Sequence, residues 1–433
     1  MSHVAESSEL SGSRSPITLL SRLALMMFLQ YFVQGAYLPI ASVYVERALG
    51  FDSAQIGYFI SALAIGPILA PFVLGQIVDR FFSTERVMAF CHLVGGLLMI
   101  ALFFETRVWP VIILGTAYSV LYVPTMMLSN SLAFRHLRDR DVEFPRIRIF
   151  GTLGYIVPAY IIEFWWLRGL QGDQLNHARG FAFALSGIVG IAMAVYCMSL
   201  PGTPPEPRHQ RKYAPGVVIS MLAQRDFLVL IIVSFFIAMA HQFVVAWYSP
   251  FVRDILDQAK FGAYEQSISS LGQICELAVL AFLGLLIRRL GYKGTLLLGA
   301  TAYLARCLLF AAVFYLDPPS TGKLLLAALG QSLHGFCFGC FFAVGYMYVD
   351  RIAPPDARGS MQTLYGTFVV ALGFFAGGAV SGRVVELLTR QVAGSPVRDW
   401  TQVWLSCAAL CALCVVALAL FFPRRSIDQP QAA

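Results

Sequence analysis

Apolar residues in this chain form long runs that are separated by short polar segments. A helix that crosses a bilayer needs about 20 predominantly apolar residues, and runs of that length recur along almost the whole sequence. They predict twelve spans, at 17–42, 54–78, 86–104, 108–134, 147–167, 179–199, 227–252, 265–287, 294–315, 322–348, 360–385 and 400–422. The first run is too long for the core of a cleaved signal peptide, so we interpret it as a retained span.

The longest polar connector divides the predicted spans into two groups of six. The expected organisation is an N-terminal tail (1–16), a six-helix bundle (17–200), a proline- and arginine-rich connector (201–226), a second six-helix bundle (227–422) and a C-terminal tail (423–433). We therefore expect an all-α membrane protein with twelve transmembrane helices in two pseudo-symmetric bundles.

Composition and charge agree with a bilayer environment. The chain is 58% hydrophobic and only 13% charged, whereas soluble domains contain about 25% charged residues. The net charge of +7 does not indicate a nucleic-acid partner, because the basic residues lie in loops that flank the spans. The side that holds both termini carries more of the 31 Lys and Arg residues, which predicts cytoplasmic termini. We expect a monomer in the inner membrane, surrounded by lipid.

A weak internal repeat relates the two groups of spans. The segment LGQIVDRF begins at Leu74 after the second span, and LGLLIRRL begins at Leu283 after the eighth. Gly75, Asp79 and Arg80 in the first copy resemble the loop signature of major facilitator transporters, where charged residues pair across helix ends and latch one conformation. This resemblance implies two parallel halves with a midplane binding site between them.

Ionisable side chains inside membrane spans are functional candidates, since each costs about 2.5–3.5 kcal/mol to insert. Arg306 has no polar residue one turn away, so we interpret it as part of a structural interhelical pair. Glu276 is the only carboxylate near the middle of a predicted span and is a candidate proton carrier. The alternatives are a permanently protonated Glu276 or an ion pair between Glu276 and Arg306. The full set is His92, Arg148, Glu163, His241, Glu276, Arg306 and His334.

A polar stripe is predicted on the fifth span. Arg148, Thr152 and Tyr155 follow at helical spacing, which places a cation, a hydroxyl and an aromatic ring on one face. Such a face suits a polar ring compound. The alternative is that Arg148 extends to the membrane interface beside Arg146.

Further polar and aromatic side chains are expected to face this stripe from other spans. Gln273 lies three residues before Glu276 on the same helical face. Gln34 and Gln242 occupy related positions in spans 1 and 7 and are expected to face each other. His334 is a second candidate for proton coupling, with core packing as its alternative. The set is Gln34, Gln242, Gln273, His334 and Phe338.

This inventory constrains the ligand. A cationic ligand requires several carboxylates, and a phosphate ester requires Arg or Lys from both halves; we expect neither arrangement. Amides, hydroxyls, aromatic rings and one carboxylate suit an uncharged ligand with a planar ring and hydroxyl groups, taken up with a proton. Catalytic motifs are absent from the sequence, so neither an enzyme nor a cofactor is expected. The cysteines lie in apolar runs, and their CxxC pairs lack further ligands, so no metal site is expected.

The chain is similar to the nucleoside:proton symporter family of the major facilitator superfamily. The most specific stretches are FPRIRIFGTLG at 144–154 and GQICE at 272–276. The resemblance implies proton-driven import of nucleosides. A sugar permease or an exporter with the same fold is the alternative, and a receptor or enzyme on a transporter-like scaffold is a third class.

The resemblance also implies a set of binding residues. Where the family has an Asn in span 7, a Tyr in span 10 and an Asp in span 10, this chain has Val245, His334 and Gly339. Glu276 and His334 therefore remain the two candidates for proton coupling. The binding residues that the resemblance implies are Arg148, Thr152, Tyr155, Gln242, Gln273, Glu276 and Phe338.

Overall fold

The computed structural model describes residues 15–70, 82–204, 224–354, 358–392 and 395–423, and these residues are almost entirely helical. The first half contains α1 (Ile17–Arg47), α2 (Ser53–Leu63), α3 (Thr84–Phe104), α4 (Val108–His136), α5 (Arg140–Ile161), α6 (Gly172–Ala178) and α7 (Phe181–Cys197). The second half contains α8 (Arg225–Gln258), α9 (Glu265–Tyr315), α10 (Ser320–Ser332), α11 (His334–Cys337), α12 (Val344–Ile352), α13 (Arg358–Thr363), α14 (Leu372–Leu387) and α15 (Trp400–Phe421). Three π-helical segments extend or join these helices, at Ile162–Trp166, Phe338–Ala343 and Leu364–Ala371.

The number of membrane-length helices differs from the predicted number of spans. Eleven described helices are long and apolar enough to cross a membrane. The predicted eighth and ninth spans both lie in α9, which has 51 residues and is interrupted at Gly291, where φ is 67°. Glycine adopts this left-handed conformation readily because it has no Cβ.

Contacts of Gln331 show that α9 reverses at this glycine. Gln331 donates to the Ser269 carbonyl oxygen at 2.8 Å and accepts a hydrogen bond from Arg306. In a straight helix, Ser269 and Arg306 would lie about 55 Å apart, too far for one side chain to reach both. The two segments of α9 therefore lie side by side, and the predicted all-α membrane fold is confirmed.

α1 and α5 pack with direct backbone contact, which determines where the first half presents its polar side chains. A Cβ on Gly154 would lie only 2.1 Å from the Phe28 carbonyl oxygen. Small residues allow this approach, as they do in many membrane helix pairs. The crossing brings Arg148 of α5 over the ring of Tyr31 in α1, with 4.1 Å between the guanidinium carbon and the ring centroid.

The side of the molecule on which the chain begins is defined by α1 and α5. Ser15, just before α1, donates its backbone N–H to Glu143 in the first turn of α5 at 2.7 Å. Both helices therefore begin on the same side, which we call the terminal side. The predicted latch residues Gly75, Asp79 and Arg80 lie outside the described residues, as does most of the connector 201–226.

The two halves are in contact on the side opposite to the terminal side. Near the far ends of α1 and α8, Ser249 donates to the Pro39 carbonyl oxygen, and Arg47 pairs with Asp254. α2 and α14 also meet closely, because a Cβ on Gly57 would lie 2.6 Å from the carbonyl oxygen of Gly378. We call this region the closed side.

A β-hairpin precedes the last helix and was not predicted from the sequence. Its strands are β1 (Thr389–Val392) and β2 (Ser395–Arg398), paired antiparallel with Thr389 opposite Arg398. Arg398 is buried and forms an ion pair with Glu46 of α1 at 2.7 Å. The hairpin therefore adds a contact between the halves on the closed side.

Candidate functional site: a cavity between the two halves

A cavity of about 800 Å³ lies between the halves. Pro145 and Ile149 line one end of it, in the first turns of α5, which places that end toward the terminal side. The other end is bounded by Pro39 and Ser249, which belong to the closed side. Polar lining residues come from both halves: Tyr31, Gln34, Arg148, Thr152, Tyr155, His241, Tyr248, Ser249, Ser269, Gln273, Glu276, Arg306, Gln331 and His334.

The first half contributes the predicted polar stripe of α5. Arg148, Thr152 and Tyr155 all line the cavity, and each side chain is half-buried. Arg146, two residues earlier, is exposed. Arg148 instead lies against the Tyr31 ring, an arrangement in which the aromatic face stabilises the guanidinium cation. The structure thus places Arg148 in the cavity and not beside Arg146 at the surface.

The second half contributes amides and titratable groups. Glu276 and His334 lie next to each other, with 3.4 Å between Oε2 and Nε2. Gln273 lines the cavity, and its buried Oε1 atom has no hydrogen-bond partner among the described residues. Phe338 lies beside His334, with ring centroids 6.2 Å apart, and provides an aromatic surface.

The two glutamines expected to face each other occupy different environments. Gln34 lines the cavity. Gln242 is buried outside the lining, and its Nε2 group donates to the Ile60 carbonyl oxygen of the other half at 3.4 Å. The sequence position of Gln242 could not show which way its side chain points, because α8 is buried on several faces. The structure places Gln242 at the contact between the halves.

Arg306 lines the cavity as well, contrary to the expectation that guanidinium groups would not come from both halves. Its Nη1 atom lies 3.2 Å from Nδ1 of His334, and its Nη2 atom donates to Gln331. The suggested ion pair between Arg306 and Glu276 is not formed, because His334 lies between their polar groups. Arg306 is only 2% exposed; its two Nη groups serve neighbouring side chains, and its buried Nε has no hydrogen-bond partner among the described residues.

Two further intramembrane histidines have protein partners. His241 lines the cavity and contacts the Tyr303 hydroxyl through Nδ1 at 2.7 Å. Its ring centroid is 5.7 Å from that of His334. His92 lies within the first half, where Nε2 contacts Gln30 at 2.9 Å, and it is not part of the lining. His92 is therefore a packing residue with a satisfied ring nitrogen.

One group of cysteines comes together away from the cavity lining. The Sγ atoms of Cys307, Cys407 and Cys411 lie within 4.8 Å of one another, and all three residues are buried. Cys411 belongs to one of the CxxC pairs, but its neighbours here are Cys307 and Cys407 and not the other member of that pair. Buried thiols of this kind pack as small apolar side chains at helix crossings.

Comparison with known proteins identifies the family. The profile of the family described as "Nucleoside H+ symporter" matches residues 17–426. This chain belongs to the nucleoside:H+ symporter family. The chain is 29% identical to the xanthosine permease of Escherichia coli (strain K12) over 95% of its length and 97% of the permease. It is 26% identical to the nucleoside permease NupG of the same strain, over 94% of this chain and 97% of NupG.

Solved structures give the same fold. A crystal structure of the nucleoside transporter NupG matches 94% of this symporter-family chain and 100% of NupG, with a TM-score of 0.81 and 24% identity. The xylose transporter XylE from E. coli matches with a TM-score of 0.67 at 13% identity, over 94% and 98% of the two chains. The chain thus has the fold of major facilitator transporters, and its family consists of multi-pass membrane transporters and not enzymes.

Sequence reasoning missed the buried charges that join the halves of this symporter on the closed side. Arg179 of the first half donates through Nε to Glu265 of the second at 2.8 Å, and both side chains are fully buried. Arg253 contacts the same carboxylate at 3.2 Å. Arg179 and Arg253 lie at the predicted ends of spans, so they resembled loop residues. Only the contact between the halves shows that they are enclosed.

Glu163 also joins the two halves on the closed side. Its carboxylate accepts hydrogen bonds from the backbone N–H groups of Gln266 and Ser267, at 2.5 and 2.9 Å. These N–H groups belong to the first turn of α9, where a helix has unsatisfied donors and a favourable dipole for an anion. Glu163 of the first half therefore accepts hydrogen bonds from the otherwise unpaired N–H groups at the start of α9 in the second half.

Proposed function

We propose that the protein imports nucleosides across the inner membrane together with protons, by alternating access of the central cavity. Family membership supports transport of this class, and the similar proteins include a nucleoside permease and a xanthosine permease. The observation that carries the proposal is one cavity in which Arg148 and Tyr31 of the first half face Gln273 and Glu276 of the second.

The lining suits the chemistry of a nucleoside. Tyr155 and Phe338 offer aromatic faces to a planar base. Arg148 and Gln273 supply donors and an acceptor for base carbonyl and N–H groups, and Thr152 provides a hydroxyl for the ligand's polar edge. The cavity volume of about 800 Å³ falls within the range of about 300–1,000 Å³ that small-molecule sites occupy.

Proton coupling is assigned to the pair formed by Glu276 and His334. They are adjacent to each other and line the same cavity as the substrate residues, so protonation and substrate binding can be linked within one conformational cycle. If both termini are cytoplasmic, as the Lys and Arg distribution predicts, the terminal side is the cytoplasmic side. The structure then corresponds to the inward-facing state.

The two bundles, 17–200 and 227–422, are the units proposed to rock around the cavity. The contacts of the closed side would break and new contacts would form on the terminal side, where Gly75, Asp79 and Arg80 are proposed to act as a latch. We propose that one chain forms the transport unit.

Uptake into cells that lack their own nucleoside transporters tests the proposal. Labelled uridine, adenosine and xanthosine should accumulate, a protonophore should abolish accumulation, and labelled maltose should not enter. Accumulation of maltose without any nucleoside uptake would instead establish the sugar-permease alternative.

A further inference from the structure

Arg306 holds His334 in a defined chemical state. The guanidinium group has only N–H donors and no acceptor. Its Nη1 atom lies 3.2 Å from Nδ1 of His334, so Nδ1 must provide the acceptor lone pair. The ring proton of neutral His334 therefore resides on Nε2, which faces the Glu276 carboxylate at 3.4 Å.

The position of Arg306 is itself fixed by neighbouring groups. Nη2 of Arg306 donates to Oε1 of Gln331, and Nε2 of the same Gln331 donates to the Ser269 carbonyl oxygen at 2.8 Å. The amide is thus oriented by the first segment of α9, and it orients the guanidinium on the second segment. Arg306 and Gln331 are only 2% and 3% exposed, so water does not compete for these donors.

We infer that Arg306 is a positioning residue that keeps His334 neutral and thereby leaves Glu276 as the proton carrier. A proton added to His334 would go to Nδ1, where it would oppose the N–H group of Arg306 at hydrogen-bond distance. The resulting imidazolium would also lie beside a permanent cation. Both effects disfavour protonation of His334.

The other titratable groups around this pair agree with the assignment. His241 faces His334 from α8, and its own Nδ1 atom is occupied by the Tyr303 hydroxyl. Tyr31 and Tyr155 line the cavity from the first half. Glu276 is the sole carboxylate in the lining among the described residues, so it is the only nearby anion that can discharge a proton. Nε2 of His334 faces Oε2 of Glu276 at 3.4 Å, so its N–H lies beside the charge that proton release leaves on the carboxylate.

The inference rests on the proposed function for its role in transport, but the state of His334 can be tested without transport. The purified protein, labelled with ¹⁵N-histidine in lipid nanodiscs, is examined by NMR between about pH 5 and pH 8, the range in which an unperturbed histidine changes charge. The His334→Gln variant assigns the signal among the seven histidines. We expect His334 to keep a protonated Nε2 and an unprotonated Nδ1 throughout. A wild-type His334 that becomes doubly protonated in this range would overturn the inference.

Variants of Arg306 provide the complementary test. In Arg306→Gln, the restriction on Nδ1 is removed, so the His334 signal should titrate and the pH profile of nucleoside exchange should gain a second step. That step should disappear in the double variant Arg306→Gln/His334→Gln. Arg306→Lys, which retains the charge and a donor, is used if the Gln variant does not fold, and it should keep the wild-type profile. A profile that is unchanged in folded Arg306→Gln would reduce Arg306 to a packing role.

Failure of the two proposals can be distinguished. If His334 shows the expected tautomer but no nucleoside is transported, the assignment of substrate is wrong and the positioning by Arg306 stands. If nucleosides are transported while His334 titrates in the wild-type protein, the function stands and the histidine carries the proton.

Discussion

The two halves contribute different chemistry to the cavity. The first half presents a cation stacked on an aromatic ring, a hydroxyl and a phenol, and its lining contains no carboxylate among the described residues. The second half presents Glu276 and His334 together with the guanidinium that orients the histidine. We propose on this basis that the first half mainly binds the substrate and that the second half also handles the proton.

The largest expected effect comes from removing Glu276, the proposed proton carrier. Glu276→Gln mimics the protonated carboxyl, so it should abolish proton-driven accumulation and keep part of the exchange of labelled for unlabelled nucleoside, which requires no proton release. A potential of 100 mV supplies about 2.3 kcal/mol per proton, equivalent to roughly a fiftyfold concentration ratio, and this ratio should fall to one. His334→Gln is the matched control. Accumulation retained by Glu276→Gln but lost in His334→Gln would transfer the role to the histidine.

Removal of the cation in the first half should weaken binding without changing proton coupling. Arg148→Ala deletes a donor to the ligand, worth about 1–3 kcal/mol, so affinity should fall roughly ten- to hundredfold while the pH dependence of exchange is kept. Arg146→Ala, at an exposed position on the same helix, should bind normally. A changed pH profile in Arg148→Ala would contradict the division between the halves.

Gln273 distinguishes the two proposed roles, because it belongs to the second half but is proposed to contact the substrate and not the proton. Gln273→Ala should weaken nucleoside affinity about tenfold and leave the number of protons per nucleoside unchanged. Isothermal titration calorimetry with uridine and adenosine measures the nucleoside affinity of the purified variant. Wild-type affinity for both nucleosides would show that Gln273 does not contact the ligand.

The closed side should respond differently from the cavity. Glu163→Ala removes the acceptor for two backbone N–H groups of α9, so the closed side should open more often and the transport rate should change more than the affinity. A single cysteine placed in the closed side and labelled with a membrane-impermeant reagent reports this opening. Glu386→Ala removes an exposed carboxylate that pairs within its own half, and it should not increase labelling. Equal labelling of the two variants would argue against a role for Glu163 in closure.

The smallest effect on binding is expected in the loop signature. Asp79→Asn should lower the transport rate more than the nucleoside affinity, because a latch changes the balance between states and not the site. Measuring nucleoside binding and the initial uptake rate on the same variant separates an effect on affinity from an effect on rate. An equal loss of both, in a folded variant, would contradict the latch proposal.

Much of this architecture could be predicted from the sequence, because hydrophobic runs directly report the spans. The cavity residues of α5 were also predictable, because their spacing along a helix places Arg148, Thr152 and Tyr155 on one face. The contacts of Arg306 were not, because Gln331 and His334 lie on other helices, and only the reversal of α9 at Gly291 brings Ser269 and Glu276 of its first segment to the same place. The buried cluster of Arg179 and Glu265 was hidden for the same reason: each charge is near a span end, and its burial depends on the opposite half.

Reconstitution into proteoliposomes tests whether nucleosides and protons cross through the cavity together. Purified protein is sealed with a pH-sensitive dye inside, and uridine or xanthosine is added outside without an imposed proton gradient. We expect nucleoside entry to acidify the interior in the wild-type protein. Arg148→Ala should need a higher nucleoside concentration for the same signal, and Glu276→Gln should exchange nucleoside without any dye response. Nucleoside entry into wild-type vesicles with no acidification would contradict proton symport through this cavity.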